Sequence, residues 1–122
     1  MTSAQPHDIA LLCNDLFFCS QIEGTASANG AKAKSVDDVA AALKLIDAAS
    51  TKLVIVDLDT RDVDCAELMA GLPQPRPRVI GFFPHLRIEV RDAALAAGFD
   101  AVLTRGQFSA RLVELCQHVA AK

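Results

Sequence analysis

The sequence predicts an α/β domain with a five-stranded parallel sheet, and two observations support this fold class. Apolar runs alternate with helical patterns from one end of the chain to the other, with five of each. Such alternation implies right-handed crossovers that place helices on both faces of a parallel sheet. The run 53–58 is apolar at every position but one, which is typical of a central strand buried on both faces. We therefore predict a three-layer α/β/α domain with strand order 2-1-3-4-5.

The first strand and helix are expected close to the amino terminus. Residues 9–13 form a short apolar run that predicts a buried strand. Asn14 or Asp15 can then cap a helix over residues 16–28, and Gly30 follows the end of that helix.

The second strand has the weakest pattern and the third strand has the strongest. Residues 31–36 are assigned to strand two. Ser35 and Asp38 resemble a capping box, with Asp in place of the usual Glu, which predicts a helix that continues to about residue 49. Residues 52–58 then form the third strand, which is the central one.

The second half of the chain continues the alternation. Three prolines in the segment 73–77 exclude a helix interior and a central strand there, so we predict a loop. Gly98 is placed to end an alanine-rich helix, and Ser109 is placed to cap the last helix. The remaining elements are predicted as a helix over 65–71, a strand over 79–83, a helix over 86–97, a strand over 101–103 and a helix over 109–120.

Length and composition exclude several classes of protein. The 122 residues suit one domain, which we place at 9–122 after a frayed tail of residues 1–8. No apolar run reaches the roughly 18 residues of a membrane span, and the amino terminus lacks the features of a signal peptide, so we expect a cytoplasmic protein. The net charge of −3 is spread over both signs and leaves no basic footprint for nucleic acid.

The cysteines and histidines predict no site of their own. The four cysteines form no C-x-x-C pair, so free and reduced cysteines are expected. The three histidines have no metal-ligand spacing, and His85 is interpreted as a surface residue of a loop.

The expected site lies at the carboxyl ends of the central strands, where parallel α/β sheets place their functional residues. Asn14 and Asp15 follow the first strand, and Asp57 ends the third. Phe83 and Pro84 lie at the end of the fourth strand, and Arg105 follows the fifth strand.

Three of these segments resemble the receiver domains of bacterial response regulators, a flavodoxin-like family. The run 53–58 is similar to the receiver strand that carries the phosphoacceptor aspartate, which implies that role for Asp57. Residues 79–84 resemble the fourth receiver strand and its end. Residues 93–103 resemble the alanine-rich helix, glycine and fifth strand that precede the family's lysine, whose place Arg105 takes. The resemblance covers the chain from residue 9 onward.

The resemblance implies a metal site in which some of the ligands are missing. Receivers hold a divalent cation on carboxylates; Asp15 matches one of them, and Asn14 stands where another belongs and could bind a metal-bound water. Asp57 and Asp59 complete the candidate metal residues, with Asp59 offering a backbone carbonyl. A register shifted by one residue would instead place Cys13 and Asn14 at these positions. The cofactor prediction is therefore none, or weakly bound Mg²⁺.

The resemblance also implies that the phosphorylation switch is damaged. Receivers use a Thr or Ser hydroxyl and the next backbone N–H to hold the phosphoryl group, whereas Phe83 has no hydroxyl and Pro84 has no N–H. Val102 replaces the aromatic side chain that many receivers use as a switch. Arg105 keeps a positive charge and could pair with Asp57, holding one state.

Each site residue also has an interpretation without a functional role. Asp57 could be a relic that is solvated or paired with Arg105, and Asp15 could act only as a helix N-cap. Phe82 and Phe83 must face opposite sides of the sheet, and Phe83 could plug the pocket where a phosphoryl group would sit.

Three functional hypotheses follow. The first is an atypical receiver-like module, a pseudo-receiver that acts through protein–protein interaction. The second is a working single-domain response regulator of a two-component phosphorelay, phosphorylated on Asp57. The third is an α/β module outside signalling, although no acid–base pair or nucleophile pattern indicates an enzyme. The expected partner is a signalling protein, either a histidine kinase or an output protein, and homodimerisation through residues 86–120 follows by analogy.

Overall fold

The computed structural model describes residues 7–121 and contains the predicted parallel sheet. The strand order is β2-β1-β3-β4-β5, and all four neighbouring pairs are parallel, so the predicted fold class is confirmed. The elements are β1 (Ile9–Leu12), α1 (Leu16–Ala28), β2 (Ala33–Val36), α2 (Val39–Leu45), β3 (Leu53–Asp57), α3 (Cys65–Gly71), β4 (Arg78–Phe83), α4 (Ile88–Ala97), β5 (Ala101–Thr104) and α5 (Arg105–Ala120).

The sheet divides the hydrophobic core into two halves because strand side chains alternate between its faces. One half lies under α1 and α5 and contains Ile55 and Phe82. The other lies under α2, α3 and α4 and contains Val56 and Phe83. Each of these side chains is at most 3% exposed, and burial of one such side chain stabilises the fold by about 1.5–3 kcal/mol.

Two predicted helix caps are wrong, and the second error affects the site. Ser35 lies in β2, where its hydroxyl bonds the carboxylate of Glu23, and Asp38 alone caps α2. Helix α5 begins at Arg105 rather than at Ser109, because Thr104 accepts from the Gln107 N–H and the Gln107 side chain accepts from the Thr104 N–H. This capping box places Arg105 in the first turn of a helix, directly after β5.

Helix α2 is shorter than predicted, since it ends at Leu45 rather than near residue 49. The backbone after it forms a turn held by side chains. The Thr51 hydroxyl accepts from the Asp47 N–H, and the Asp47 carboxylate accepts from the Ala49 N–H. These bonds satisfy donors that would otherwise favour another helical turn.

Part of the predicted tail is packed into the fold. Residues 1–6 lie outside the described residues, whereas His7 is 4% exposed, with Nε2 2.7 Å from the Thr51 hydroxyl. The Asp8 N–H donates to the Lys32 carbonyl at 2.8 Å. His7 and Asp8, which were predicted to belong to the tail, are therefore part of the folded domain. None of the helices within residues 7–121 is long and apolar enough to cross a membrane.

Candidate functional site

Asp57 lies at the carboxyl end of β3 and is almost completely buried, with 3% exposure. The chain after it is held against the neighbouring strand. The Leu58 N–H donates to the Phe82 carbonyl at 2.9 Å, and the Thr60 N–H donates to the Asp57 carbonyl at 3.0 Å. The Asp57 side chain is therefore presented by a rigid strand end.

Three groups surround the Asp57 carboxylate. Oδ1 accepts from the Asp59 N–H at 2.9 Å. Oδ2 lies 3.4 Å from Cys13 Sγ and 3.4 Å from Arg105 Nη2. Burial raises the pKa of Asp57 above its ordinary value, and the Asp59 N–H, the Cys13 thiol and the Arg105 charge only partly offset this.

Cys13 occupies the position across from Asp57 because Leu12 pairs with Val56. The shifted register considered above, with Cys13 at the pocket, is therefore the one whose side chain touches Asp57. Burial raises the pKa of the Cys13 thiol, so the thiol stays protonated and can donate to the carboxylate. Where a second carboxylate would supply negative charge, this chain has a neutral, weak donor.

Asn14 and Asp15 are placed differently from the metal ligands that the resemblance implies. Asn14 is exposed. Asp15 caps α1, since its Oδ1 accepts from the Phe18 N–H at 3.1 Å. Its Oδ2 lies 3.9 Å from Arg105 Nη1. Both carboxylates near the pocket thus face the same guanidinium group.

Arg105 lies between the two carboxylates and over two aromatic rings. Its guanidinium carbon is 5.0 Å from the ring centre of Phe18 and 5.8 Å from that of Phe82. Such cation–π contacts add to the attraction of the carboxylates. Its Nε is one of the buried side-chain polar atoms without a hydrogen-bond partner among residues 7–121. Arg105 therefore acts as an internal counter-ion, held mainly by charge and ring contacts.

Phe83 does not plug the pocket. Asp57 pairs with Phe82, so their side chains share one face of the sheet and Phe83 points to the other. Phe83 packs into the core beneath α3 and α4, where Val102 also packs. Pro84 follows β4, and its carbonyl accepts from the Arg87 N–H at 2.8 Å. Phe83 therefore offers no side-chain hydroxyl, and Pro84 offers no backbone N–H.

No family model matches the chain, and no curated relative matches it. Solved structures do match. The receiver domain of NtrX from Brucella abortus superposes with a TM-score of 0.74 at 18% identity, covering 94% of this chain and 99% of that one. A CheY-like receiver domain protein from Methanospirillum hungatei superposes with a TM-score of 0.71 at 15% identity, covering 96% of this chain and 98% of that one.

The chain has the fold of a response regulator receiver domain. A receiver protein from Burkholderia phymatum adds a third match, with a TM-score of 0.72 at 19% identity over 94% of this chain and 95% of that one. The longer NtrX chain has also been solved with ATP and with ADP, and the present chain covers 27% of its length. At these identities the likeness concerns the fold, and the site must be judged from its own residues.

The receiver-like pocket does not fit a tightly held Mg²⁺. This ion needs near-octahedral oxygen ligands at about 2.0–2.1 Å. Here Arg105 lies against both carboxylates, and Cys13 is the other side chain on Asp57 Oδ2. The Asp59 side chain is engaged with Arg87 at 2.9 Å. Within residues 7–121, no group of three or more His, Cys, Asp or Glu side chains is arranged to hold a metal ion.

We expect Mg²⁺ to bind more weakly than about 1 mM, because the cation must displace a guanidinium from two carboxylates. An amide NMR titration that follows residues next to Asp57 measures this affinity. Saturation at tens of micromolar would show that Arg105 leaves the pocket readily and that the assignment above is wrong.

Asp57 should impose a pH dependence on stability. The pKa of Asp57 in the folded state is raised above its ordinary value of 3.8, which applies to the unfolded state. At any pH between the unfolded-state pKa and the folded-state pKa, the folded protein therefore binds more protons than the unfolded protein. Stability from this group is therefore present at low pH and lost as pH rises through that window. Asp57→Asn should remove this loss and be as stable as wild type, or more stable, at pH 7.

Urea unfolding of both proteins from pH 3.5 to 8 tests this expectation, and the difference between the two curves is the quantity of interest. Asp37→Asn is the matched control, since Asp37 is exposed and has no ion pair within residues 7–121. Parallel curves for wild type and Asp57→Asn would contradict the expected cost of ionising Asp57.

Sequence reasoning found Asp57 and Arg105 but underrated the residues that connect them. Cys13 entered only through the shifted register, and Phe18 and Phe82 were not assigned to the site. A signal for Cys13 existed, since Cys13 ends the apolar run 9–13 at the carboxyl end of the first strand, as Asp57 stands at the carboxyl end of the third. No sequence signal indicated that Arg105 would lie over the two rings.

Several large apolar side chains are exposed in the segments that follow the carboxyl ends of the strands. Leu16 and Phe17 begin α1, and Leu86 lies in the loop after β4; each is 82% exposed. Exposed apolar side chains concentrated in one region are a common feature of protein-binding surfaces. Leu16, Phe17 and Leu86 therefore leave exposed apolar surface in the segments that follow β1 and β4.

Proposed function

We propose that the chain is a receiver-like signalling module that acts through protein–protein interaction, without conventional phosphorylation switching. The observation that carries this proposal is the pairing of Arg105 with both Asp57 and Asp15. A built-in cation at this place neutralises Asp57 in the resting protein. The module therefore needs neither Mg²⁺ nor a phosphoryl group to hold its conformation.

The energetics of switching support the same proposal. Charge-assisted hydrogen bonds contribute roughly 1.5–3 kcal/mol each. Phe83 and Pro84 remove two such donors, whereas a decisive shift of a two-state equilibrium takes about 5.5 kcal/mol. Phosphorylation of Asp57 would therefore have little free energy left with which to change α4 and α5.

The proposed partner is a signalling protein, a histidine kinase or an output protein, in the cytoplasm. The exposed side chains Leu16, Phe17 and Leu86 provide apolar contacts beside the pocket. Residues 86–120 are the proposed face for a homodimer, and Leu95 and Val113 in this range are each 49% exposed. The proposal assigns no catalytic activity to the chain.

A working receiver phosphorylated on Asp57 is the second candidate. It is favoured by the position of Asp57 at the carboxyl end of the central strand, with a basic residue 3.4 Å away. In this alternative, Arg105 would move from the carboxylate to the phosphoryl group.

Beryllofluoride, which mimics an aspartyl phosphate, separates the two candidates. We expect beryllofluoride with Mg²⁺ to leave the amide spectrum of residues 86–120 essentially unchanged, because the donors that would transmit the signal are missing. Asp57→Asn provides the control for binding at the acceptor. Widespread shifts in α4 and α5 of wild type that are absent from Asp57→Asn would establish a working receiver.

A further inference from the structure

A recess at the opposite edge of the sheet is lined by two arginine side chains. It has a volume of about 250 Å³ and lies where β4 begins, beside the carboxyl-terminal half of α5. A smaller hollow of about 50 Å³ adjoins it. The recess is lined by Arg78, Arg111, Glu114, Leu115 and His118, and the hollow by Lys52, Leu53, Arg78, Leu115, His118 and Val119.

The fold brings these side chains together from distant parts of the chain. Arg78 is the first residue of β4, and Lys52 directly precedes β3, so both lie at the amino-terminal edge of the sheet. Arg111, Leu115 and His118 follow a spacing of four and three residues, which places them on one face of α5. The part-buried Leu115 packs against the core and anchors this face.

Two arginines of the recess lack the ion pairs that hold most arginines of this chain. Four of the seven arginines make ion pairs with carboxylates: Arg76, Arg87, Arg91 and Arg105. Of the other three, Arg78 and Arg111 line the recess, and Arg61 lies in the loop after β3; none of them has an ion pair within residues 7–121.

Neighbouring acids do not supply the missing partners. Asp100 is near Arg78, but its carboxylate is committed to Arg76, at 2.8 and 3.0 Å, and to the Val79 N–H at 2.7 Å. Glu114 lines the recess without forming an ion pair among the described residues. Within residues 7–121, a protein of net charge −3 thus places two guanidinium groups without an ion pair at one concave site.

We propose that this recess binds a small phosphate-bearing molecule. Guanidinium forks match the paired oxygens of a phosphate group, and Arg78 and Arg111 approach it from a strand and from a helix. The volume lies below the 300–1,000 Å³ typical of pockets for drug-sized ligands, so the ligand is smaller than a nucleotide. The site lies away from Asp57 and is independent of the signalling role proposed above.

Inorganic pyrophosphate and inorganic phosphate are the probes for this site, titrated in amide NMR at constant ionic strength set by sodium chloride. We expect saturable shifts at residues 78–79 and 111–119, no shifts around Asp57, and tighter binding of pyrophosphate. Shifts spread evenly over all basic residues would show general charge screening and overturn the proposal.

Three matched variants test the two arginines. Arg78→Gln and Arg111→Gln should each weaken pyrophosphate binding about fivefold or more, whereas Arg61→Gln should leave it unchanged. Arg78 and Arg111 are exposed, so their replacement should leave the fold intact, as thermal unfolding can verify. Glu114→Gln should strengthen binding, because it removes a negative charge from the lining.

Two further results would overturn the proposal. One is an equal loss of pyrophosphate binding in Arg61→Gln and in the recess variants. The other is that a poly-glutamate peptide binds more tightly than pyrophosphate and depends on Arg78 and Arg111 in the same way. This result would assign the recess to an acidic protein segment instead.

Discussion

Replacement of Phe82 by alanine should lower the free energy of unfolding by about 3–5 kcal/mol. The ring is 0% exposed, stacks on Phe108 at 4.6 Å and meets Phe18 edge-on at 5.1 Å. Its removal leaves a cavity in the core under α1 and α5 and takes away one of the rings beneath Arg105. The loss therefore affects both the core and the site.

Urea unfolding measures this effect, and Leu86→Ala is the control, since Leu86 is 82% exposed and should change stability by no more than about 0.5 kcal/mol. Domains are stable by only about 5–15 kcal/mol, so Phe82→Leu provides a milder variant that stays folded. A loss below about 1.5 kcal/mol for Phe82→Ala would mean that the aromatic cluster is loosely packed.

Replacement of Cys13 by aspartate should strengthen the binding of magnesium at the Asp57 pocket. The new carboxylate would lie beside Asp57 Oδ2, where the thiol lies now at 3.4 Å. Two carboxylates at this distance repel each other and destabilise the protein without metal. A divalent cation offsets this repulsion, so we expect Mg²⁺ affinity to rise by about tenfold or more and Mg²⁺ to restore thermal stability.

Asn14→Asp is the matched control, because it adds the same charge at the neighbouring, exposed position. Thermal unfolding with and without Mg²⁺, together with the amide titration, compares the two variants. If Asn14→Asp gains affinity and Cys13→Asp does not, the residue that faces Asp57 has been assigned wrongly, and the unshifted register applies to the pocket.

These two variants address different parts of the proposed function. A receiver-like module that holds one conformation requires a rigid support for Arg105, which Phe82 and Phe18 provide. It also requires that the pocket have little affinity for metal, which follows from Cys13 and from the ion pairs of Arg105. A strong response of wild type to Mg²⁺ and beryllofluoride would contradict both requirements together.

Local sequence determined the fold class and several element boundaries. The predicted bounds of α1 and α3 agree with the structure, since Asp15 and Asp64 cap them locally. Strand β3 could be predicted without knowledge of its neighbouring strands, because a strand that is buried on both faces has apolar side chains on both. Asp57 at the strand end and Arg105 after β5 follow from parallel topology alone, which brings the carboxyl ends of strands to one edge.

Only the tertiary structure decided which side chains meet at that edge. The pairing of Leu12 with Val56 places Cys13 across from Asp57, and a shift of one residue would have placed Asn14 there. The pairing of Asp57 with Phe82 sends Phe83 to the other core. Such choices depend on register between strands that are distant in the sequence, and no local pattern contains that information.

The same distinction separates the two candidate sites of this protein. The pocket at Asp57 was expected because its residues end successive strands, which can be read along the chain. The basic recess was not, because Arg78 and Arg111 stand 33 positions apart in numbering and meet only when α5 lies beside the start of β4. Strand propensity, helix caps and apolar periodicity are local and determined the scaffold, whereas the contacts of charged side chains were decided by how the helices pack on the sheet.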